Sequence, residues 1–167
     1  TTADFNSVVE PAKTDAEENG VTNANKASLA YCWEGGENMK RILLMGDDVS
    51  SQVVNELNGI DDDSIWFEAV KVSHHGSKHN TSIELNAKVD SAHYFFTGGK
   101  ENEGPDIETV AKIAMKPLAE GIDQRVIHYN HEKGINLWKE LNKEKAIQLL
   151  NNYHTSLNTD NTYEFEY

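Results

Sequence analysis

The chain has 167 residues, 38% apolar and 26% charged, which suits one globular domain or part of a larger one. Its formal charge of −13 opposes direct contact with phosphates, so any nucleic-acid role needs a metal or a partner to supply positive charge. No run of about 18 apolar residues could span a bilayer, Thr1–Gly20 lacks the marks of a leader peptide, and the single Cys32 excludes an internal disulfide, so a reducing, cytoplasmic setting is expected.

Residues 1–26 are polar, with Pro11, Gly20 and the acidic DAEEN, and are expected to be linker or loop. The domain proper is expected over residues 27–167. ASLAYCW and MKRILLMG flank EGGEN, a hairpin pattern in which the paired glycines supply positive φ. SSQVVNELNGI reads as a short helix capped by Ser50 or Ser51 and stopped by Gly59. SIWFEAVKVS is a strand ending at His74. TSIELNAKV is a short helix with Thr81 or Ser82 as N-cap and Glu84 in its first turn. SAHYFFTGG is a buried strand. DIETVAKIAMKPLAEG is a helix with Ile107, Val110, Ile113 and Ala114 at helical spacing. A strand QRVIHYN, a long amphipathic helix from about Ile135 to Tyr153 and a last strand TYEFEY complete the chain. Strands alternate with helices, so the class is α/β or a layered mixed (α+β) sandwich.

Two strand ends carry chemistry. ILLMGDDVS stops an apolar run at Gly46, after which Asp47 and Asp48 can project beyond the sheet. VKVSHHGSKHNTS stops another run at adjacent imidazoles. If the strands are neighbours, Asp47 and His75 share one sheet edge, and a carboxylate with an imidazole suits Zn²⁺, Mn²⁺ or Fe. The plainer reading is aspartate turn chemistry and a solvated histidine pair.

The ordered set NANKASLAYCW, ILLMGDD, VKVSHHGSKHNTS and AHYFFTGGKENEGPDIETVAKI resembles the C-terminal half of a metallo-β-lactamase-fold hydrolase, in the style of the ComEC-type DNA-uptake proteins and their soluble relatives. That family shows an N…SLV strand, a LLTGD strand end, a KVPHHGS strand end and SVGKNN…HP before a helix. The resemblance runs from about Asn25 to Met115 and implies half of an αββα sandwich. It implies Asp47 as a carboxylate bridging two metals, His75 as the last histidine ligand, and His74 as a neighbour that contacts substrate or serves as the ligand instead. Asp48 would support the site as a cap, and Ser77 and Lys78 would lie near substrate, the lysine meeting an anionic oxygen. The implied cofactor is a pair of divalent ions, Zn with Mn or Fe as alternatives. They would lower the pKa of a bridging water to about 7 for attack on a phosphoryl or carbonyl centre.

The family's H-x-H-x-D-H cluster occurs nowhere in the chain, and Glu103–Gly104–Pro105 stands where relatives have GHP. Asp47 and His75 are too few to fix a catalytic ion alone. The leading expectation is therefore a metal-dependent hydrolase, phosphodiesterase- or nuclease-like, acting on an anionic substrate. Its other half would lie on an N-terminal segment or a partner chain. The alternative is a split or degenerate half-domain serving as an interaction module. Half a sandwich exposes an apolar sheet face, so a homodimer or a covering partner is expected. Among the remaining groups, His128 and His131 are expected in a solvated loop, His79 at the surface and His93 packed in a strand. Cys32 is expected buried, the tryptophans are expected as core or interface anchors, and Asp61–Asp63 is expected as a loop.

Overall fold

In the computed structural model, residues 10–18, 21–60, 64–98, 104–130 and 143–159 are described. A short helix α1 (Asn23–Lys26) leads into the hairpin β1 (Ala30–Gly35) and β2 (Lys40–Met45), whose antiparallel register runs from Ala30 opposite Met45 to Gly35 opposite Lys40. Gly36 and Met39 take positive φ in the turn. Then come α2 (Ser50–Leu57), β3 (Ile65–Trp66), β4 (Ala69–Lys71), α3 (Ile83–Lys88), β5 (Val89–Asp90), β6 (His93–Phe96), α4 (Ile107–Met115), β7 (Arg125–Tyr129), α5 (Lys143–Asn151) and β8 (Thr155–Asn158). The main sheet has the order β1-β2-β4-β6-β7-β8, parallel from β2 onward, and β3 pairs with β5 in a small second sheet. The class is mixed α/β with a mostly parallel sheet.

From β2 to β8 every crossover steps one strand in the same direction. Right-handed crossovers therefore place α2, α3, α4 and α5 on one face of the sheet. The core agrees: Leu43, Val70, Tyr94 and Ile127, adjacent across four strands, cluster with Val53, Val54 and Leu57 of α2, Leu85 of α3, Val110 and Ile113 of α4 and Leu149 and Leu150 of α5. Alternation sends Tyr31, Trp33, Leu44, Lys71, Phe95 and His128 to the other face.

Several elements differ from the sequence reading. SIWFEAVKVS is two strands, because the chain changes sheets within it: the Phe67 N–H donates to Asp90 O (2.8 Å) and the next N–H, of Glu68, to Arg41 O (2.8 Å). Neither Ser50 nor Ser51 caps α2. Val49 is the cap residue, the Ser50 hydroxyl accepts from Ser82 N (2.8 Å), and Ser51 bonds Glu18. The helix at 107 stops at Met115 because Lys116 precedes Pro117 and is held extended. Buried Arg125 then donates to the last-turn carbonyls Ile113 O (2.9 Å) and Lys116 O (3.0 Å). β8 was not anticipated in the polar run TSLN. Of the long helix expected from Ile135, Lys143–Asn151 is seen, while residues 131–142 and the strand TYEFEY lie outside the described residues. Asp61–Asp63 also lies outside them.

The leading segment, expected as linker or loop, is docked over its described part. Asp15 Oδ1 meets the buried ammonium of Lys112 (2.7 Å) and the Ile83 N–H (2.8 Å), while Glu18 accepts from Ser51 N (3.0 Å) and its hydroxyl (2.8 Å). Removing Asp15 strands a lysine whose side chain is 2% exposed, with Thr81 O (2.9 Å) as its remaining acceptor among the described residues. Asp15→Ala should lower unfolding stability by about 2 kcal/mol, and adding Lys112→Met should recover most of it, as read by urea denaturation.

Candidate functional site

The site is built from the ends of β2 and β4. Because these strands are parallel neighbours, with Leu44 opposite Lys71, the residues after them emerge at one sheet edge. The His74 N–H donates to Gly46 O (2.9 Å), and the Ser73 hydroxyl donates to Gly46 O (3.1 Å) and Asp48 O (2.7 Å). Gly46 is needed here because a Cβ would collide with Ser28 Oγ and with the Leu29 carbonyl. The Ser28 hydroxyl accepts the Asp47 N–H (2.9 Å). Asp47 and the histidine turn thus share one edge.

Asn80 ties the two ends together. Fully buried, it donates from Nδ2 to Asp47 O and Asp48 O (both 2.9 Å), while its Oδ1 lies 3.1 Å from His74 Nδ1. The two Nδ2 bonds fix the amide, so Oδ1 is an acceptor facing His74 Nδ1, which also lies 3.4 Å from the amide Nδ2 of Asn25. His75 Nδ1 faces the Thr97 carbonyl, an acceptor only, and must carry a proton. In its neutral form His75 is therefore the tautomer whose Nε2 bears a lone pair, the state a metal ligand needs.

The backbone beneath them is strained. His74 (φ 42°), His75 (φ 55°) and Gly76 (φ 88°) are consecutive left-handed residues, which costs a non-glycine residue about 1–2 kcal/mol. Bonds from Ser77 N to His74 O (3.0 Å) and from Asp106 N to Gly76 O (3.0 Å) hold the turn. At Gly76 a Cβ would also press on Phe96 (2.5 Å) and Pro105 (2.7 Å).

The other expected site residues fall as follows. Asp48 is buried and its Oδ1 accepts from Val49 N (2.7 Å); burial pushes its carboxyl up, against the Val49 N–H. Ser77 Oγ accepts from His79 N (3.3 Å), closing a local turn. The Lys78 ammonium is 2.8 Å from Glu108, whose hydrogen bond holds the lysine pKa above normal, and its N–H donates to Asp106 Oδ2 (2.9 Å). Lys71 was not anticipated. Its Nζ donates to Met45 O (2.8 Å), and burial pulls its pKa down although Asp47 opposes this. Asn80 was also overlooked; its place in KHNTS gave no signal beyond ordinary loop chemistry. His79 Nδ1 contacts Glu17 O (2.7 Å).

Two expectations are overturned. Cys32 is exposed, because the helices do not extend over the edge strand β1. His128 is not in a solvated loop but buried at 3% exposure in β7, stacked on Phe95 (4.2 Å, 6°), with Nε2 3.0 Å from His93 Nδ1. Trp33 and Trp66 are 45% and 36% exposed, and His131 and Trp138 lie outside the described residues.

Among the described residues no group of three or more His, Cys, Asp or Glu side chains is gathered closely enough to hold a metal ion. The donors present fit part of a metal site. Compared with protein-family models, curated proteins and solved structures, the chain finds no match.

Asn80→Ala should leave the Asp47 and Asp48 carbonyls and His74 Nδ1 without this partner. We expect a loss of about 2–3 kcal/mol and faster amide exchange in residues 46–49 and 73–77 by mass spectrometry. Burial, then the neighbouring His93, depresses the His128 pKa to about 4, and burial also lowers His93 against the pull of Glu68. A histidine kept neutral in the fold contributes fully above the unfolded pKa of about 6.5, and that contribution is lost as pH falls toward 4. The melting temperature should fall across that window, and His128→Gln should flatten the fall.

Proposed function

We propose that the chain is part of a metal-dependent hydrolase of metallo-β-lactamase type, the C-terminal half of its αββα sandwich, acting on an anionic ester with a phosphodiester as the favoured bond. The observation that carries this reading is the pair of imidazoles anchored through Nδ1 by Asn80 and Thr97 on a strained turn, at the edge that also bears Asp47. Strain of this kind persists where surrounding bonds enforce it and is concentrated at functional sites. Asp47, His75 and His74 would ligate divalent ions, Zn, Mn or Fe. The remaining ligands would come from an H-x-H-x-D-H element on an upstream segment or a partner. When bound, the ions would supply a hydroxide at neutral pH and stabilise the developing oxyanion. This chain's part is to hold its donors: Asn80 and Thr97 fix the rings, and Ser28 fixes the backbone of Asp47.

A second reading, a non-catalytic interaction module, is favoured by a different observation. Leu29, Tyr31, Trp33 and Leu44 are 62%, 59%, 45% and 46% exposed around one hairpin, the kind of apolar exposure that marks interfaces.

The two separate by experiment. The chain should be co-expressed with an H-x-H-x-D-H half-domain, and metal content and bis-phosphodiester hydrolysis measured. The hydrolase reading expects about two ions per assembled domain. It expects Asp47→Ala and His75→Ala each to lower turnover at least about 100-fold with folding retained. Metal-free, inactive assemblies would leave the module.

A further inference from the structure

The strand β1 is the terminal strand of the sheet, and its residues from Tyr31 to Glu34 are all exposed. The Gly46 N–H donates to Leu29 O, so the backbone groups of residue 29 face β2. In an antiparallel ladder this alternates, which turns the N–H and C=O groups of Ala30, Cys32 and Glu34 away from β2, along the open edge. On the helix side an open groove of about 440 Å³ runs beside the same strand, lined by Ala30, Cys32, Leu43, Val53 and Leu57. On the other side stand Tyr31, Trp33 and Leu44. An edge with outward backbone groups and apolar surface on both faces is a template for another strand.

We propose that this edge pairs with the β1 of a second copy of the chain, antiparallel about a two-fold axis at Cys32. Outward groups exist at residues 30, 32 and 34, and the one symmetric register that uses all three sets Cys32 opposite the partner copy's Cys32 and each Ala30 opposite a Glu34. It forms about six backbone hydrogen bonds, two for each facing pair. On the sheet's other face it brings each Tyr31 against a Trp33, an aromatic cross-strand pair that stabilises sheets. On the helix side the two grooves join into one trough.

Local charge leaves this place open to a second copy. The chain as a whole carries −13 and repels its copy, but across the hairpin, residues 30–45, the cations Lys40 and Arg41 balance the anions Glu34 and Glu37. Glu34 is moreover neutralised by Arg41 at 2.6 Å. The hairpin is therefore a stretch on which two copies approach without the repulsion carried by the rest of the chain. The dimer does not depend on any metal chemistry.

The test uses the whole chain. Light scattering under reducing conditions should give twice the 18.7 kDa chain mass at high concentration. A short bis-maleimide should then link the chains through Cys32, since facing residues in such a pair lie about 5.5 Å apart at Cα. Cys32→Ser should keep the dimer and lose the link. Cys32→Pro removes an N–H that faces outward and leaves the β1–β2 bonds intact, so a folded monomer is expected by circular dichroism. Should that variant unfold, Cys32→Asp sets two carboxylates face to face and should also give a folded monomer. A wild-type chain that stays monomeric at its highest soluble concentration overturns the proposal. So does a dimer that fails to link at Cys32, or one that survives in folded Cys32→Asp.

Discussion

The amide of Asn80 is the interaction on which the site edge depends. Parallel strands present their C-terminal ends with slanted, unfinished hydrogen bonding, and here the ends of β2 and β4 run at once into irregular backbone. Two carbonyls, of Asp47 and Asp48, and one ring nitrogen of His74 converge on a single buried side chain with two donors and one acceptor free to match them. A carboxylate in that place could not donate, and an aliphatic residue could do neither. One asparagine thereby sets the distance between the strand ends and anchors the ring of the first histidine.

Topology explains why the candidate residues gather at one edge. Every crossover from β2 to β8 moves the same way, so helices fill one face and the loops after β2, β4 and β6 all open at the same end. Thr97, which fixes the ring of His75, follows β6, and Gly46 and Ser73 follow β2 and β4. Three consecutive parallel neighbours in space thus each contribute one constraint, the arrangement by which open α/β sheets build binding sites at the carboxyl ends of their strands.

Much of this was legible in the residues. The hairpin, the helix capped by Ser82, the strand at His93–Phe96 and the helix beginning at Ile107 follow from alternation, capping chemistry and 3.6-residue spacing, all local signals. The adjacency of Asp47 to the histidine turn needed only that two strand ends be neighbours. What escaped was set by tertiary pairing. The split after Trp66 arises because successive amides find partners in different sheets, and β8 is a polar run made into a strand by the neighbouring β7. His128 looked solvated since its sequence neighbours are polar, yet its strand lies inside the sheet. Cys32 erred the other way: its run is strand-like, but among the described residues no helix reaches over the edge.

The distribution of charge near the site bears on what could bind there. Lys78 and Lys112 both have carboxylate partners, Glu108 and Asp15, and Lys71 is held on a backbone carbonyl under the field of Asp47. Among the described residues, the three lysines named here are already engaged, and the chain around them is acidic. The rings of His74 and His75 are held through Nδ1 by Asn80 and Thr97. On the proposed reading such a surface would take a divalent cation first and an anion through it. A carboxylate and imidazole nitrogens would attract the ion, and the ion would then reverse the sign of the local field.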